Sequence, residues 1–181
     1  MSAPSADVSV RVAWADDAPA IAAVQVRAWQ SDWAGTVPAD RLPDDPRVLE
    51  PVWRTALVSP GDARRRVLVA LERDRLVGFV LTGPATDPDC DQVVVGEMTD
   101  LTVEPGERGA GHGSRLLQAA VDTLVADQFT TAVTWVGSRD DALRTFLTDA
   151  GWDADGAHRE LALDEDAATG VRQVRLHTAI G

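Results

Sequence analysis

Apolar and polar positions alternate at Val8, Val10 and Val12, the period of a half-buried strand. The period then lengthens to that of a helix. Asp16 or Asp17 offers an N-cap, Pro19 suits a first turn, and Ile21, Val24, Gln25, Ala28 and Trp29 share a face. Gly35, Pro38, Pro43 and Pro46 mark a long loop. Val48, Leu49, Val52, Trp53, Ala56 and Leu57 predict a second helix, closed by Pro60 and Gly61. Next come two apolar stretches, Val67 to Leu71 and Leu76 to Thr82, joined by a turn at Arg73, Asp74 and Arg75, which predict a hairpin. A strand runs from Val93 towards Val103 and stops at Pro105. A glycine-rich turn then opens a helix that carries Leu116, Leu117, Ala120, Val121, Leu124 and Val125 on one face. Thr131 to Val136 predicts a short strand. Asp140 or Asp141 caps a helix through Phe146 to Asp149, with Gly151 as its C′ residue. His158 to Leu163 and Val171 to Thr178 predict a last hairpin around an acidic loop.

The expected order is therefore β-α-α-β-β-β-α-β-α-β-β, an α/β fold with a mixed, twisted central sheet and helices on both faces. Residues 1–7 read as a flexible lead, and residues 8–181 as a single domain without repeat or linker. With 181 residues, 45% hydrophobic and 25% charged, the chain is long enough for one sizeable core. No apolar run approaches the ~20 residues that span a bilayer, so no membrane partner is expected. The single cysteine, Cys90, has no internal partner, and no Cys/His cluster has zinc spacing. A reducing cytoplasm fits that usage.

Twenty-nine acids against 17 bases give a net charge of −12, which repels a phosphate backbone and argues against a nucleic-acid partner. An anionic ligand must be held locally. Every base is arginine, and lysine, asparagine and tyrosine do not occur, a pattern expected of a GC-rich genome. Arg64-Arg65-Arg66 is too short for a nucleic-acid patch. The loop Asp87-Pro88-Asp89-Cys90-Asp91 lacks the spacing and glycine of a calcium loop, so it reads as solvated, with Cys90 a poor nucleophile among acids.

The informative segment is Glu107-Arg108-Gly109-Ala110-Gly111-His112-Gly113-Ser114, between a strand and an amphipathic helix. A helix start presents unpaired N–H groups and partial positive charge, and glycines let a phosphate approach the backbone. A diphosphate suits such a turn. No Gly-Lys-Ser/Thr follows, as a P-loop requires, and the glycines do not run as a dinucleotide fingerprint.

The segment resembles the signature of the GCN5-related N-acetyltransferases (GNAT), Gln/Arg-x-x-Gly-x-Gly/Ala, matched by Arg108, Gly111 and Gly113 within the wider phrase Leu101-Thr102-Val103-Glu104-Pro105 through Leu116-Leu117. The element order matches over roughly residues 8 to 180. Val26-Arg27-Ala28-Trp29 through Gly35 and Pro38, with Trp53-Arg54-Thr55-Ala56-Leu57, is similar to one bacterial subgroup. The resemblance implies an acetyl-CoA-dependent N-acetyltransferase acting on a primary amine of a small molecule or a protein. It implies that the N–H groups of Arg108, Gly109, Ala110, Gly111, His112, Gly113 and Ser114 hold the pyrophosphate of acetyl-CoA. The pantetheine arm would run beside Leu101, Thr102 and Val103. The His112 side chain, where the family usually has a small or aliphatic residue, is expected to face solvent. A homodimer is left open. A non-catalytic acyl-CoA-binding module of the same fold is the alternative.

Acetyl transfer to an amine needs a base, an oxyanion donor and a proton for the thiolate. Glu97 stands where many family members carry the base. Asp100, of opposite side-chain parity, is the next candidate and faces the same way only if a bulge intervenes. The family's usual thiol acid, a tyrosine four residues before a Gly-Phe or Gly-Trp pair, is Leu147 here, ahead of Gly151-Trp152. Asp140 takes the place of an asparagine that contacts the cofactor. Trp33 is a candidate for the acceptor side. No metal is expected.

Overall fold

The computed structural model describes residues 7–162 and 170–181. Its elements are β1 (Val8–Val12), α1 (Ala18–Asp32), α2 (Glu50–Val58), β2 (Arg66–Glu72), β3 (Arg75–Pro84), β4 (Val95–Val103), α3 (His112–Ala126), β5 (Thr131–Gly137), α4 (Asp141–Asp149), β6 (Asp153–Ala162) and β7 (Gly170–Ala179). Short 3-10 turns occupy Ala15–Asp17, Ala39–Arg41, Pro46–Val48 and Pro105–Glu107. The fold is the mixed α/β arrangement that the sequence predicts. Seven strands form one sheet in the order β1-β2-β3-β4-β5-β7-β6. β4 and β5 pair in parallel, while β1 with β2, β2 with β3, β5 with β7 and β6 with β7 pair antiparallel.

One boundary differs from expectation by five residues. β6 begins at Asp153, not His158, because its register against β7 slips between Ala154 and His158, with Gly156 at φ +88°. Such a bulge hides the two-residue period. Of the expected N-terminal lead only Asp7 is described, and the acidic loop after β6 lies outside the described residues.

The chain forms two compact units. The first holds the described residues up to Gly83 together with Asp100–Thr123. Its core gathers Ile21 and Val24 of α1, Trp53 of α2, Val67 and Val69 of β2, and Leu76 and Phe79 of β3. The Trp53 and Phe79 rings meet edge to face at 5.0 Å. Buried Gln25 accepts the Trp53 indole N–H at 2.7 Å, so the only polar atom of that ring is satisfied.

The second unit holds Pro84–Thr99 and Leu124 onward. Its charged centre is Arg175 of β7, 7% exposed. Its guanidinium donates to Asp155 at 2.6 Å, to Asp89 at 2.6 and 2.7 Å and to Asp87 at 3.1 Å, and it lies over the Trp135 ring. The loop expected to be solvated is thus pinned. Its acids face a buried cation that holds the Asp89 carboxyl down at about 2. Burial, the largest influence, raises the Cys90 thiol, as expected of a poor nucleophile.

Gly78 of β3 admits β4 closely. A Cβ there would stand 2.7 Å from the Thr102 carbonyl oxygen and 3.0 Å from Leu116 Cδ1. Gly78→Ala should therefore destabilise the protein by ~1–3 kcal/mol. Gly106→Ala, which would meet nothing within 4 Å, should change stability little. Denaturant melts of the two variants check this.

Candidate active site

β4 ends at Val103 and, by way of the 3-10 turn Pro105–Glu107, leads into the glycine turn. Gly109 and Gly111 sit at φ +81° and +87°, a left-handed backbone that favours glycine. Nothing lies within 4 Å of where a Gly109 Cβ would stand. The exposed turn therefore presents bare backbone to solvent. The first N–H groups of α3, which begins at His112, lack carbonyl partners inside the helix. An anion is the fitting guest.

Two forked ion pairs hold this turn against α1. Arg27 of α1 donates to both Glu104 oxygens at 2.7 and 2.6 Å. In the opposite sense, Arg108 donates to both oxygens of Asp32 at 2.6 and 2.9 Å, and its Nε donates to the Val103 carbonyl at 3.2 Å. Asp32 directly precedes Trp33, which is half-buried at the C-terminal end of α1. Trp33 thus belongs to the same unit as the turn. Asp32 and Glu104 escaped the sequence reading, because an acid reveals its arginine only once the chain has folded.

The His112 side chain does not face solvent. It is 1% exposed, and neither ring nitrogen has a hydrogen-bond partner. The first side chain of α3 is instead turned inward, which no local pattern in the sequence reports.

Glu97 lies on β4 in the second unit, 7% exposed and in register with Val133 of β5. Its Oε2 accepts from the Thr86 N–H at 3.3 Å and the Thr86 hydroxyl at 3.1 Å. Burial raises its carboxyl above the ordinary range, against the opposing pull of the Thr86 bonds. The pairing described between β4 and β5 covers Val95 to Glu97 only. Beyond it, Leu101, Thr102 and Val103 are half-buried.

Asp100, in the first unit, has φ +54°, and its carbonyl accepts the Thr102 hydroxyl at 2.9 Å. The left-handed residue breaks the strand's parity, which is the irregularity required for Asp100 to depart from strict alternation. Asp100 is an exposed residue, yet partial loss of surrounding water raises its carboxyl.

Asp140 caps α4 by accepting the Leu143 N–H at 3.0 Å. Leu147 is 1% exposed and packed, like Trp152 after the α4 stop at Gly151, φ +91°. Ser138 donates its N–H to Arg172 and accepts from Arg144 through its carbonyl.

Residues 24–152 match the family model described as the acetyltransferase (GNAT) family. The chain belongs to the GNAT family. Its donor is accordingly acetyl-CoA and its reaction N-acetyl transfer. Among solved structures of similar fold is the PaiA N-acetyltransferase of Thermoplasma acidophilum in complex with coenzyme A. It is 15% identical with a TM-score of 0.74, and the match covers 99% of each chain. The yncA protein of Salmonella typhimurium, solved with its cofactor acetyl-CoA, is 16% identical with a TM-score of 0.68, over 97% of this chain and 95% of that one. The ribosomal-protein-alanine N-acetyltransferase of Brucella melitensis is 16% identical with a TM-score of 0.70, over 94% and 99%. No curated protein sequence matches. No helix among the described residues is long and apolar enough to cross a membrane.

Two predictions follow from the packing of this GNAT chain. A carboxyl whose pKa is raised by burial contributes stability that is full below its unfolded value, near 4.5, and is lost as pH rises through the folded value. Glu97→Gln keeps an acceptor for Thr86 and removes the titration. Its stability relative to the parent should be flat below about pH 4 and grow more favourable as pH rises towards neutrality, which paired melts across pH test. Leu147→Tyr should cost ~1–3 kcal/mol through overpacking and leave thiol release unimproved. A gain in turnover with unchanged melting would place that side chain at the reacting sulfur instead.

Proposed function

We propose that the N–H groups from Arg108 to Ser114 hold the diphosphate of acetyl-CoA, that Leu101, Thr102 and Val103 carry its pantetheine arm, and that Glu97 is the general base. The observation that carries this reading is a buried carboxylate of raised pKa on the strand that runs, without a break in the chain, into a glycine turn bent to expose its backbone. Acetyl-CoA supplies an activated acetyl thioester. The chain's own residues supply the rest. Glu97, its carboxyl raised by burial, takes a proton from the ammonium form of the acceptor, directly or through water. Asp100, also of raised pKa, is the second candidate for the same task. Asp140 stays a helix cap, since a negative side chain gains nothing beside a polyanion. With no tyrosine in the chain and Leu147 packed, the proton for the departing thiol comes from Ser138, water or the product ammonium.

The acceptor is a primary amine of a small molecule or a protein, and half-buried Trp33 offers an aromatic wall for it. The net charge of −12 favours cationic acceptors over nucleic acid, and the single Cys90 suits a reducing cytoplasm. The missing tyrosine also favours one other reading, an acyl-CoA-binding module that does not turn over. Release of free CoA thiol on adding an amine separates the two. Glu97→Gln should lower turnover about 10²–10⁴-fold, remove the acidic limb of the pH–rate profile and leave the acetyl-CoA dissociation constant near its parent value. Gly111→Glu should abolish acetyl-CoA binding by bulk and like charge, measured by calorimetry on the folded variant. Unaltered kinetics in the first variant would move the base to Asp100, and unaltered affinity in the second would remove the turn from the site.

A further inference from the structure

We infer that Glu72, Glu107 and His112 form a binding site for a divalent transition-metal ion, Zn²⁺ being the best fit, with Arg75 as its exchangeable counter-cation. Glu72 ends β2, Glu107 ends the 3-10 turn before the glycines, and His112 begins α3. Folding brings one donor atom from each to within 4.8 Å of the others. Acidic residues near one another are common. The feature that points to a ligand here is His112, 1% exposed, whose Nδ1 and Nε2 both lack a hydrogen-bond partner. A buried imidazole always has at least one nitrogen that needs a donor or an acceptor, so leaving both unpaired is costly unless something else engages the ring.

One imidazole nitrogen and two carboxylate oxygens form a donor set suited to Zn²⁺, with water as a fourth ligand. Around a tetrahedral ion with bonds of ~2.0–2.2 Å, neighbouring donors stand ~3.4 Å apart, so the three need close by only about an ångström or so. The charge count agrees. Arg75 Nη2 already bridges the two carboxylates, donating to Glu72 Oε2 at 3.1 Å and to Glu107 Oε1. Two negative groups thus share one cation, while Glu72 Oε1 and Glu107 Oε2 are not used by that bridge. The Arg75 side chain is 58% exposed and can swing into solvent, leaving two carboxylates beside the imidazole to balance a dication. Arg73 and Asp74 flank Arg75 at the hairpin tip, where a solvent-open concavity lined by Glu72, Arg73, Asp74 and Arg75 provides the entry.

The other acidic cluster among the described residues, Asp87, Asp89 and Cys90, does not compete on these terms. Buried Arg175 fills it with bonds to both aspartates, and no orphaned nitrogen faces it. Cys90→Ser serves as the background for the test, so that thiolate binding cannot be mistaken for the proposed site.

The experiment titrates the metal-stripped full chain with Zn²⁺ against a chelating indicator, and with Co²⁺ read by its visible spectrum. The expected result is one equivalent bound per chain with oxygen and nitrogen ligation. Glu107→Gln and Glu72→Gln should each weaken binding by about a hundredfold, since even groups that only support a ligand cost ~10–100-fold when removed. Arg75→Ala should tighten it, because the competing cation is gone. A purely structural ion-pair cluster predicts no such gain. Circular dichroism verifies that each variant is folded, and the two glutamine variants stand in for each other should one fail. The proposal is overturned by absence of stoichiometric binding to the parent, by binding that survives both glutamine substitutions, or by weaker binding in Arg75→Ala.

Discussion

Between the middle of β4 and the start of α3 the chain passes through the left-handed region three times, at Asp100, Gly109 and Gly111. Each passage forces a choice. At Asp100 a side-chain-bearing residue holds φ +54°, which breaks the alternation of the strand and separates the stretch carrying Glu97 from the stretch carrying Leu101 to Val103. At the two glycines the same geometry bares the backbone and turns it into a helix whose first N–H groups have no partners of their own. A strand that stayed regular would not part those two stretches, and a turn without glycines would not bare its backbone.

Such a turn needs support from outside itself, and arginine provides it. Arg27 and Arg108 reach in opposite directions between α1 and the turn, each forking onto one carboxylate. Both pairs are partly exposed, so each contributes on the order of 1 kcal/mol or less. Their value is positional, because a planar guanidinium fixes orientation as well as distance. Arg75 does the same below the turn for Glu72 and Glu107. In the second unit Arg175 gathers three aspartates. A chain with a charge of −12 and no lysine thus uses arginine forks to organise an excess of acid that would otherwise repel itself. The consequence is that Arg108 is already engaged by Asp32, while the backbone of the turn stands open.

The element order, the hairpin turn at Arg73, the Asp140 cap and the Gly151 stop were legible in the sequence, because each depends on residues close together in the chain. A two-residue or helical period, a capping acid and a left-handed glycine act locally. The glycine turn was legible for the same reason. So was Glu97 as a candidate, though only by family resemblance, since nothing local distinguishes it from any other strand acid. Its burial and raised carboxyl arise from how β4 lies beside β5 and Thr86.

Other features were decided by tertiary structure alone. The partners of Arg27, Arg108 and Arg175 lie 77, 76 and up to 88 positions away, and no local pattern links them. The burial of His112 reverses its expected exposure, because the first residue of α3 is turned inward where a glycine-rich turn suggested a solvent-facing position. Leu147 is packed for a similar reason, with the strongly amphipathic α4 presenting it inward. The sequence by itself determined the order of strands and helices and the bending of the β4 to α3 turn. Burial, the shifts of carboxyl pKa and the meeting of Glu72, Glu107 and His112 required the fold, because desolvation and long-range charge pairing exist only once distant segments exclude water from one another.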